Sequence, residues 1–359
     1  MTTSAYIHIP FCKSKCNYCS FISFTEQDKK LGYVYSLLKE IDTYYSGEEL
    51  KTLYFGGGTP SLIDPGLIEK IIKKFNFSKE CEISFEMNPD DAKLEYLQAL
   101  YNMGINRISL GTQTFNNEIL KLIGRRHSAE QAIIAVENAK NAGFENINLD
   151  LIYGLPESKS IKDDLNEILK LDIPHISTNG LKIEEGSYFY TNFPSNLPND
   201  DEQADMYLEI NKTLENKGYS RYEISNFAKS GFESKHNLNY WNNSSYYGFG
   251  VAAHGYVDGI RYSNYTTLEK YLSDPTKHES GHIVSEEEKI EEEIFLGFRK
   301  ASGINIKEFY EKFTINFEEK YEKQLKKYMP DFIKKNNDNY SLTIEGVMLS
   351  NNILADFID

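Results

Sequence analysis

Three of the chain's four cysteines, Cys12, Cys16 and Cys19, fall within the eight residues CKSKCNYC, and the fourth, Cys81, lies far along the chain. Thiols that stay reduced and sit this close together are explained by metal or cluster ligation better than by disulfides. A structural zinc ion needs four ligands in a closed tetrahedron, so it would have to recruit Cys81, His8 or another distant group. Cys81 opens a strand-like run at the opposite end from the loop and reads as a small buried hydrophobe. An iron–sulfur cluster can instead be held by cysteine at three irons, with its fourth iron open to another ligand. Such an open corner serves chemistry.

A loop of this kind needs a scaffold. Strand-like runs begin at Ala5 (AYIHI), Thr52 (TLYF), Cys81 (CEISFEM), Arg107 (RISLG), Asn146 (NINLDLIYG) and His175 (HISTNGLK), with helix-like segments 27–45, 64–75, 92–103, 116–122, 129–142 and 160–171 between them. Strand alternating with helix implies a parallel sheet with helical crossovers. Six units are too few to close an eight-stranded barrel, so the expected fold is α/β, an open barrel or a doubly wound sheet, with its chemistry at the C-terminal ends of the strands. The unusual residues fall there. The cysteines follow the first strand and Gly56-Gly57-Gly58-Thr59-Pro60 the second; Glu86-Met87-Asn88-Pro89 ends the third, Gly111-Thr112-Gln113 the fourth, and Asp150 with Gly154-Leu155-Pro156 marks the fifth. Glycines without Cβ let a ligand approach the backbone, although an ordinary tight turn has the same composition.

From about residue 200 the rhythm changes. A helix over 201–217 leads to aromatic, β-rich stretches at 219–227 and 246–262, then to amphipathic helices at 285–301 and 305–328 and a tail from Tyr340 patterned as a hairpin and a short helix. We therefore expect two domains, 1–199 and 200–359, the second a smaller α/β, winged-helix-like module. The acidic run SEEEKIEEE reads as a solvated helix face. With 39 basic against 54 acidic side chains the net charge is −15, which disfavours attraction to nucleic acid or an anionic membrane. No apolar run approaches the roughly 20 residues that span a bilayer, and no signal-peptide stretch is visible, so no intrinsic membrane anchor and a cytoplasmic location are expected.

Cys-x3-Cys-x2-Cys with Tyr18 before the third cysteine resembles the signature of radical S-adenosylmethionine (SAM) enzymes, and the Gly-Gly-Gly-Thr-Pro run strengthens that resemblance. It implies a partial (β/α)6 barrel with a [4Fe–4S] cluster on Cys12, Cys16 and Cys19. The open iron would be chelated by the amino and carboxylate groups of SAM, whose reductive cleavage gives a 5′-deoxyadenosyl radical. Carried over position by position, the resemblance assigns Tyr6, Tyr18, Gly57, Gly58, Thr59, Glu86, Gln113, Arg125 and Asp150 to the cofactor site. Read without it, Asp150 could cap a helix and Arg125 could be a surface cation.

The similarity runs along nearly the whole chain: YIHIPFC, YFGGGTPS, GTQTFNNEILKLIGRRHS, LDLIYGLP and YEISNFAKSGFESKHNLNYW. It is to the HemW-type heme chaperones, which are related to the oxygen-independent coproporphyrinogen III oxidases. The oxidase pattern would place a further cysteine at position 21, where this chain has Phe21, and would add an N-terminal extension. His236 to Trp241, HNLNYW, matches a His-Asn-x-x-Tyr-Trp heme motif. A neutral imidazole is a strong iron ligand and aromatic rings offer flat apolar surface to a porphyrin, but a lone histidine beside Tyr and Trp is also an ordinary core residue. The resemblance thus implies heme on His236, delivery to apo-hemoproteins such as respiratory enzymes, an electron donor of unspecified kind, and Arg125, Arg126, Arg221 or Arg261 as propionate partners. Two stretches depart from the family: Val251-Ala252 before His254, and Thr178-Asn179-Gly180 on the sixth strand. His8, His127, His175, His278 and His282 show no ligand spacing and are assigned structural or solvent roles. The competing readings are a coproporphyrinogen III oxidase and a structural zinc protein.

Overall fold

The computed structural model describes residues 2–358. Six parallel strands, β1 (Ser4–Ile9), β2 (Glu49–Gly57), β3 (Asn76–Met87), β4 (Arg107–Gln113), β5 (Asn146–Tyr153) and β6 (His175–Gly180), lie side by side in chain order. Between them run α1 (Lys30–Tyr44), α2 (Pro65–Ile72), α3 (Leu94–Asn102), α4 (Asn117–Leu122), α5 (Ala129–Ala142) and α6 (Lys162–Lys170). Period-two alternation sends one face of each strand to the helices and the other inward. On β2, Leu53 and Phe55 join a single core with Val34, Ile68, Phe85, Leu97, Leu149 and Ile176, while Thr52 and Tyr54 hydrogen-bond inside the sheet's concave face. Each large apolar side chain fully buried in this layer stabilises the fold by about 1.5–3 kcal/mol.

Local chemistry fixes the element ends. α5 starts at a capping box in which Ser128 and Gln131 exchange side-chain and backbone bonds, and stops at Gly143, whose φ of 105° is left-handed. α2 starts at Pro65 behind Asp64, which accepts from the Gly66 amide at 2.8 Å.

The sheet does not end at residue 200. Short strands β7 (Ser220–Arg221) and β8 (Asn226–Ala228) extend it antiparallel beyond β6, and β9 (Tyr247–Phe249) pairs parallel with β1, giving the order β7-β8-β6-β5-β4-β3-β2-β1-β9. The outer strands β7 and β9 do not pair with each other, so the barrel is open. Its curvature is visible in a chain of polar contacts across the interior: His175 on β6 meets the Tyr222 hydroxyl at 2.8 Å, that hydroxyl accepts from the Ser234 amide, and Ser234 Oγ donates to Glu82 on β3. Glu40 of α1, fully buried, accepts from the Gly250 amide, Asn264 Nδ2 and Tyr271 Oη, fastening the segment after β9 to the barrel wall.

A three-stranded antiparallel sheet follows, β10 (His254–Val257), β11 (Ile260–Asn264) and β12 (His278–Ile283). The last part of the chain has its own core, Ile294, Phe298, Phe309, Phe317, Tyr340 and Phe357, and its own antiparallel sheet of β13 (Ile304–Asn305), β14 (Ile333–Asn336) and β15 (Asn339–Leu342). The single helix expected over 305–328 is three pieces, Ile306–Phe313, Phe317–Lys320 and Glu322–Tyr328, because Thr314 turns left-handed at φ 57° and Asn316 caps a fresh start. The hairpin begins at Ile333, so the tail from Tyr340 contributes one strand and two short helices. Likewise β3 begins five residues before Cys81, which is buried within the strand. Among the described residues no helix is long and apolar enough to cross a membrane.

Candidate functional site

The cysteine loop leaves β1 at the C-terminal end of the sheet and is held by backbone contacts. Cys12 N–H donates to the Phe24 carbonyl, Cys19 N–H to the Cys16 carbonyl, and Asn17 N–H to the Ile123 carbonyl just after α4. Tyr18 packs with Ile119, Leu120, Ile123 and Phe189. The three thiols are free and half-buried. Two sulfurs face donors: Thr59 Oγ1 stands 3.6 Å from Cys12 Sγ and Arg125 Nη1 3.6 Å from Cys16 Sγ. Asn88, which sequence reasoning did not single out although it lies in the third strand-end signal, joins them by donating to Thr59 Oγ1 at 3.1 Å and accepting from Arg125 Nη2 at 2.7 Å. Arg125 also donates to the Gly111 carbonyl, so it is no surface cation, and its Nε is enclosed without a partner among the described residues.

Donors aimed at sulfur stabilise thiolate and suit cluster ligation. Among the described residues no three His, Cys, Asp or Glu side chains converge as a single metal ion requires. A cubane takes one thiolate at each of three separate irons, so these residues fit a [4Fe–4S] cluster and offer zinc no closed tetrahedron. Cys81 is no fourth ligand: it lies buried within β3, well before the strand end that faces the loop, with its thiol on the Glu82 carbonyl at 3.7 Å.

The glycine run is tight against its own chain. A Cβ on Gly57, whose φ is 110°, would fall 2.6 Å from the His8 ring, and one on Gly58 would fall 2.8 Å from the Phe11 carbonyl oxygen. Gly58 N–H donates to the Ile9 carbonyl at 2.8 Å, tying this turn to the end of β1 immediately before Cys12. Gly58→Ala is therefore expected to push the cysteine loop off its seat. Urea unfolding should show a loss of about 1–3 kcal/mol, and iron incorporation should fall; unchanged values for both would mean that the turn does not set the loop's position.

Inside the mouth, Tyr54 donates to Glu86 at 2.7 Å and stacks with Tyr6 at a centroid distance of 6.1 Å. Burial raises the Glu86 carboxyl to about 7. Asp150 accepts from Asn148 Nδ2 at 2.7 Å and from Ser109 at 3.1 Å, so it lies in the barrel interior and caps no helix; burial raises its pKa. Gln113 ends β4 at φ 71°, a left-handed conformation that is unusual for a residue with a side chain. His8 is positioned by Tyr6 Oη, 3.0 Å from Nδ1, and by the Ile22 carbonyl, 3.1 Å from Nε2.

His236 sits near the other end of the interior. Its helix, Lys235–Trp241, plugs the barrel with its first turn on Glu82, which accepts the amides of Lys235 and His236 at 3.0 and 3.1 Å. The imidazole is 1 % exposed, with Nδ1 at 2.8 Å from Thr52 Oγ1 and Nε2 at 2.9 Å from Tyr240 Oη, and it stacks on Tyr54. Burial lowers its pKa to about 3, so the ring is neutral. His236 and the cysteines thus occupy opposite ends of one barrel, and His254 lies exposed at the start of β10. The four arginines named as propionate partners are all engaged: Arg125 at the cysteine loop, Arg126 with Asp90, Arg221 with the Glu223 carbonyl and Arg261 with Glu292.

Residues 6–171 match the Radical SAM superfamily, and residues 284–349 match the HemN C-terminal domain. The heme chaperone HemW of Lactococcus lactis subsp. lactis (strain IL1403) is 39% identical over 99% of this chain and 97% of its own length. That of Bacillus subtilis (strain 168) is 38% identical over 99% of each. The solved structure of the radical SAM enzyme coproporphyrinogen III oxidase (HemN) from Escherichia coli superimposes with a TM-score of 0.86 over 99% of this chain and 89% of that one, at 23% identity, which establishes a shared fold. With an end-to-end relative at this identity, a radical SAM barrel and a HemN-type C-terminal module, the chain belongs to the HemW heme chaperone family.

Proposed function

We propose that the chain is a heme-trafficking protein that binds a SAM-ligated [4Fe–4S] cluster on Cys12, Cys16 and Cys19, binds heme through His236, and hands heme to apo-hemoproteins such as respiratory enzymes. The carrying observation is the end-to-end match to relatives named heme chaperones. Phe21, 68 % exposed where the oxidase pattern has a cysteine, supports the same reading. A cluster here would supply one-electron chemistry at an open iron. The chain's own part is to hold that iron's surroundings: Thr59 and Arg125 place donors beside two sulfurs, the Gly57–Gly58 turn seats the loop, and Tyr6, Glu86, Gln113 and Asp150 present polar groups for the cofactor's methionine and nucleoside ends. Such a carrier requires no turnover of porphyrin.

Anaerobic cluster reconstitution, followed by heme titration and a coproporphyrinogen assay, tests the proposal. Heme uptake that falls at least roughly tenfold in His236→Ala, the loss of one iron ligand, and no porphyrinogen decarboxylation are expected. Robust conversion of coproporphyrinogen would replace this reading with the oxidase, and undiminished heme affinity in the variant would remove His236 from the ligand role.

A further inference from the structure

Behind the plugging helix lies a hollow of about 600 Å³, within the roughly 300–1,000 Å³ of small-molecule sites. Its apolar walls are Tyr240, Trp241, Tyr246, Phe295, Leu296 and Ile358. Tyr240 belongs to both sides: its ring lines the hollow, edge-on to Tyr246 at 4.7 Å, while its hydroxyl covers His236 Nε2 in the barrel. Trp241 Nε1 is enclosed there without a hydrogen-bond partner among the described residues, and the Arg299 guanidinium stands 5.6 Å from the Trp241 ring.

We propose that this hollow receives the apolar edge of heme and that the Tyr240 side chain is the movable wall between the hollow and His236. The inference rests on the heme reading above and specifies its route. Charge selects the occupant. Glu291 and Glu292 line the hollow; among the described residues its lining cation, Arg261, is already neutralised by Glu292 through two bonds of 2.5 and 2.7 Å, and the neighbouring Arg299 guanidinium stands against the Trp241 and Phe295 rings at 5.6 and 4.3 Å. A carboxylate entering this wall would face Glu291 and Glu292, with the nearby guanidiniums already held by a carboxylate or against aromatic rings. Heme carries its carboxylates along one edge and vinyl and methyl groups along the opposite edge, so it can insert apolar side first with its propionates left in solvent. A tetrapyrrole with a carboxylate on every pyrrole, as in coproporphyrin, has no such edge. Once the macrocycle is seated, rotation of the Tyr240 phenol away from Nε2 frees that lone pair for iron, while Nδ1–H stays on Thr52 and keeps the ring oriented.

The test is calorimetric titration of ferric heme into the cluster-reconstituted full chain, with magnetic circular dichroism reading the axial ligand. Tyr240→Phe removes the competing hydroxyl and keeps the ring, so heme should bind roughly three- to tenfold tighter with the histidine signature retained. Leu296→Trp fills the hollow and should weaken binding more than about tenfold. Ile358→Trp, on a different wall, is a second filling variant in case the first is misfolded; melting temperature and iron content identify which variants are intact. Iron coproporphyrin should compete poorly. Weaker binding or a lost histidine signature in Tyr240→Phe, undiminished binding in an intact filled variant, or equal competition by iron coproporphyrin would each overturn the inference. A wild-type chain that takes up no heme would instead overturn the heme reading itself, and this inference with it.

Discussion

Cys16→Ala is expected to abolish cluster incorporation while leaving the chain folded. After anaerobic reconstitution the variant should lack the sulfide and the broad visible absorption of the wild type, because two thiolates cannot hold a cubane whose protein ligation is already short of one iron. The fold should survive because the loop does not depend on that sulfur. Asn17 is tied to the Ile123 carbonyl through its amide and to the Leu122 carbonyl through Nδ2, and the Cys16 carbonyl that accepts from Cys19 is retained in alanine. What the variant leaves behind is Arg125 without its sulfur partner, and Nη2 remains bonded to Asn88. Cys81→Ala is the control: that side chain is buried in β3 and should change stability without changing iron content. Equal iron and sulfide in Cys16→Ala and wild type, or zinc in place of iron in the wild type, would overturn the assignment of the cysteine loop.

Much of this site is legible in the sequence because its parts are local. Each strand-end signal lies within a few residues of its strand, and the runs that start at Ala5, Arg107, Asn146 and His175 are rich in the branched and aromatic residues of buried strands, so their starts agree with the folded protein to within one residue. The first residues of β3, NFSKE, are polar except for Phe77 and are exposed or half-exposed, and they carry no such signal. Strands β7, β8 and β9 fall on the β-rich stretches read at 219–227 and 246–262, but at two or three residues each they carry no sign of which sheet they join, so their continuation of the barrel sheet is not legible. The glycine run was legible as a turn that needs glycine, but not for the reason found. His8 and the Phe11 backbone fill the space that Cβ atoms would take. Asn88 is a tertiary fact, since its bonds to Thr59 and Arg125 span 29 and 37 residues. So is the plug: nothing in HNLNYW reveals that its helix stands on Glu82, more than 150 residues earlier in the chain.

The buried histidines of the barrel interior are also expected to make the chain without heme acid-sensitive. His8, His127, His175 and His236 are each buried. Burial lowers His8 to about 4 and His127 and His236 to about 3, and holds His175 well below its ordinary value. For a group whose pKa is depressed on folding, the contribution is complete above the unfolded value, near 6.5 for histidine, and is lost as pH falls toward the folded value. Glu40 and Glu86 act in the opposite sense. Burial raises both to about 7, so their contribution is complete below the unfolded carboxyl value and is lost as pH rises through 7. Between roughly pH 5 and 6 the unfolded chain binds up to about four more histidine protons than the folded one, and the raised carboxyls Glu40 and Glu86, joined in the same direction by Asp150, Asp164 and Glu223, hold protons in the folded chain and offset part of that uptake. Each histidine proton that is not offset lowers stability by about 1.4 kcal/mol per unit of acidification in this window. Urea unfolding at pH 7.5, 6.5, 5.5 and 5.0 measures it. His127→Gln keeps a donor for the Thr112 carbonyl that His127 Nε2 contacts at 3.0 Å, and should reduce the slope by about one proton. A slope that His127→Gln leaves unchanged would mean that this imidazole carries its proton inside the fold, and would overturn the account.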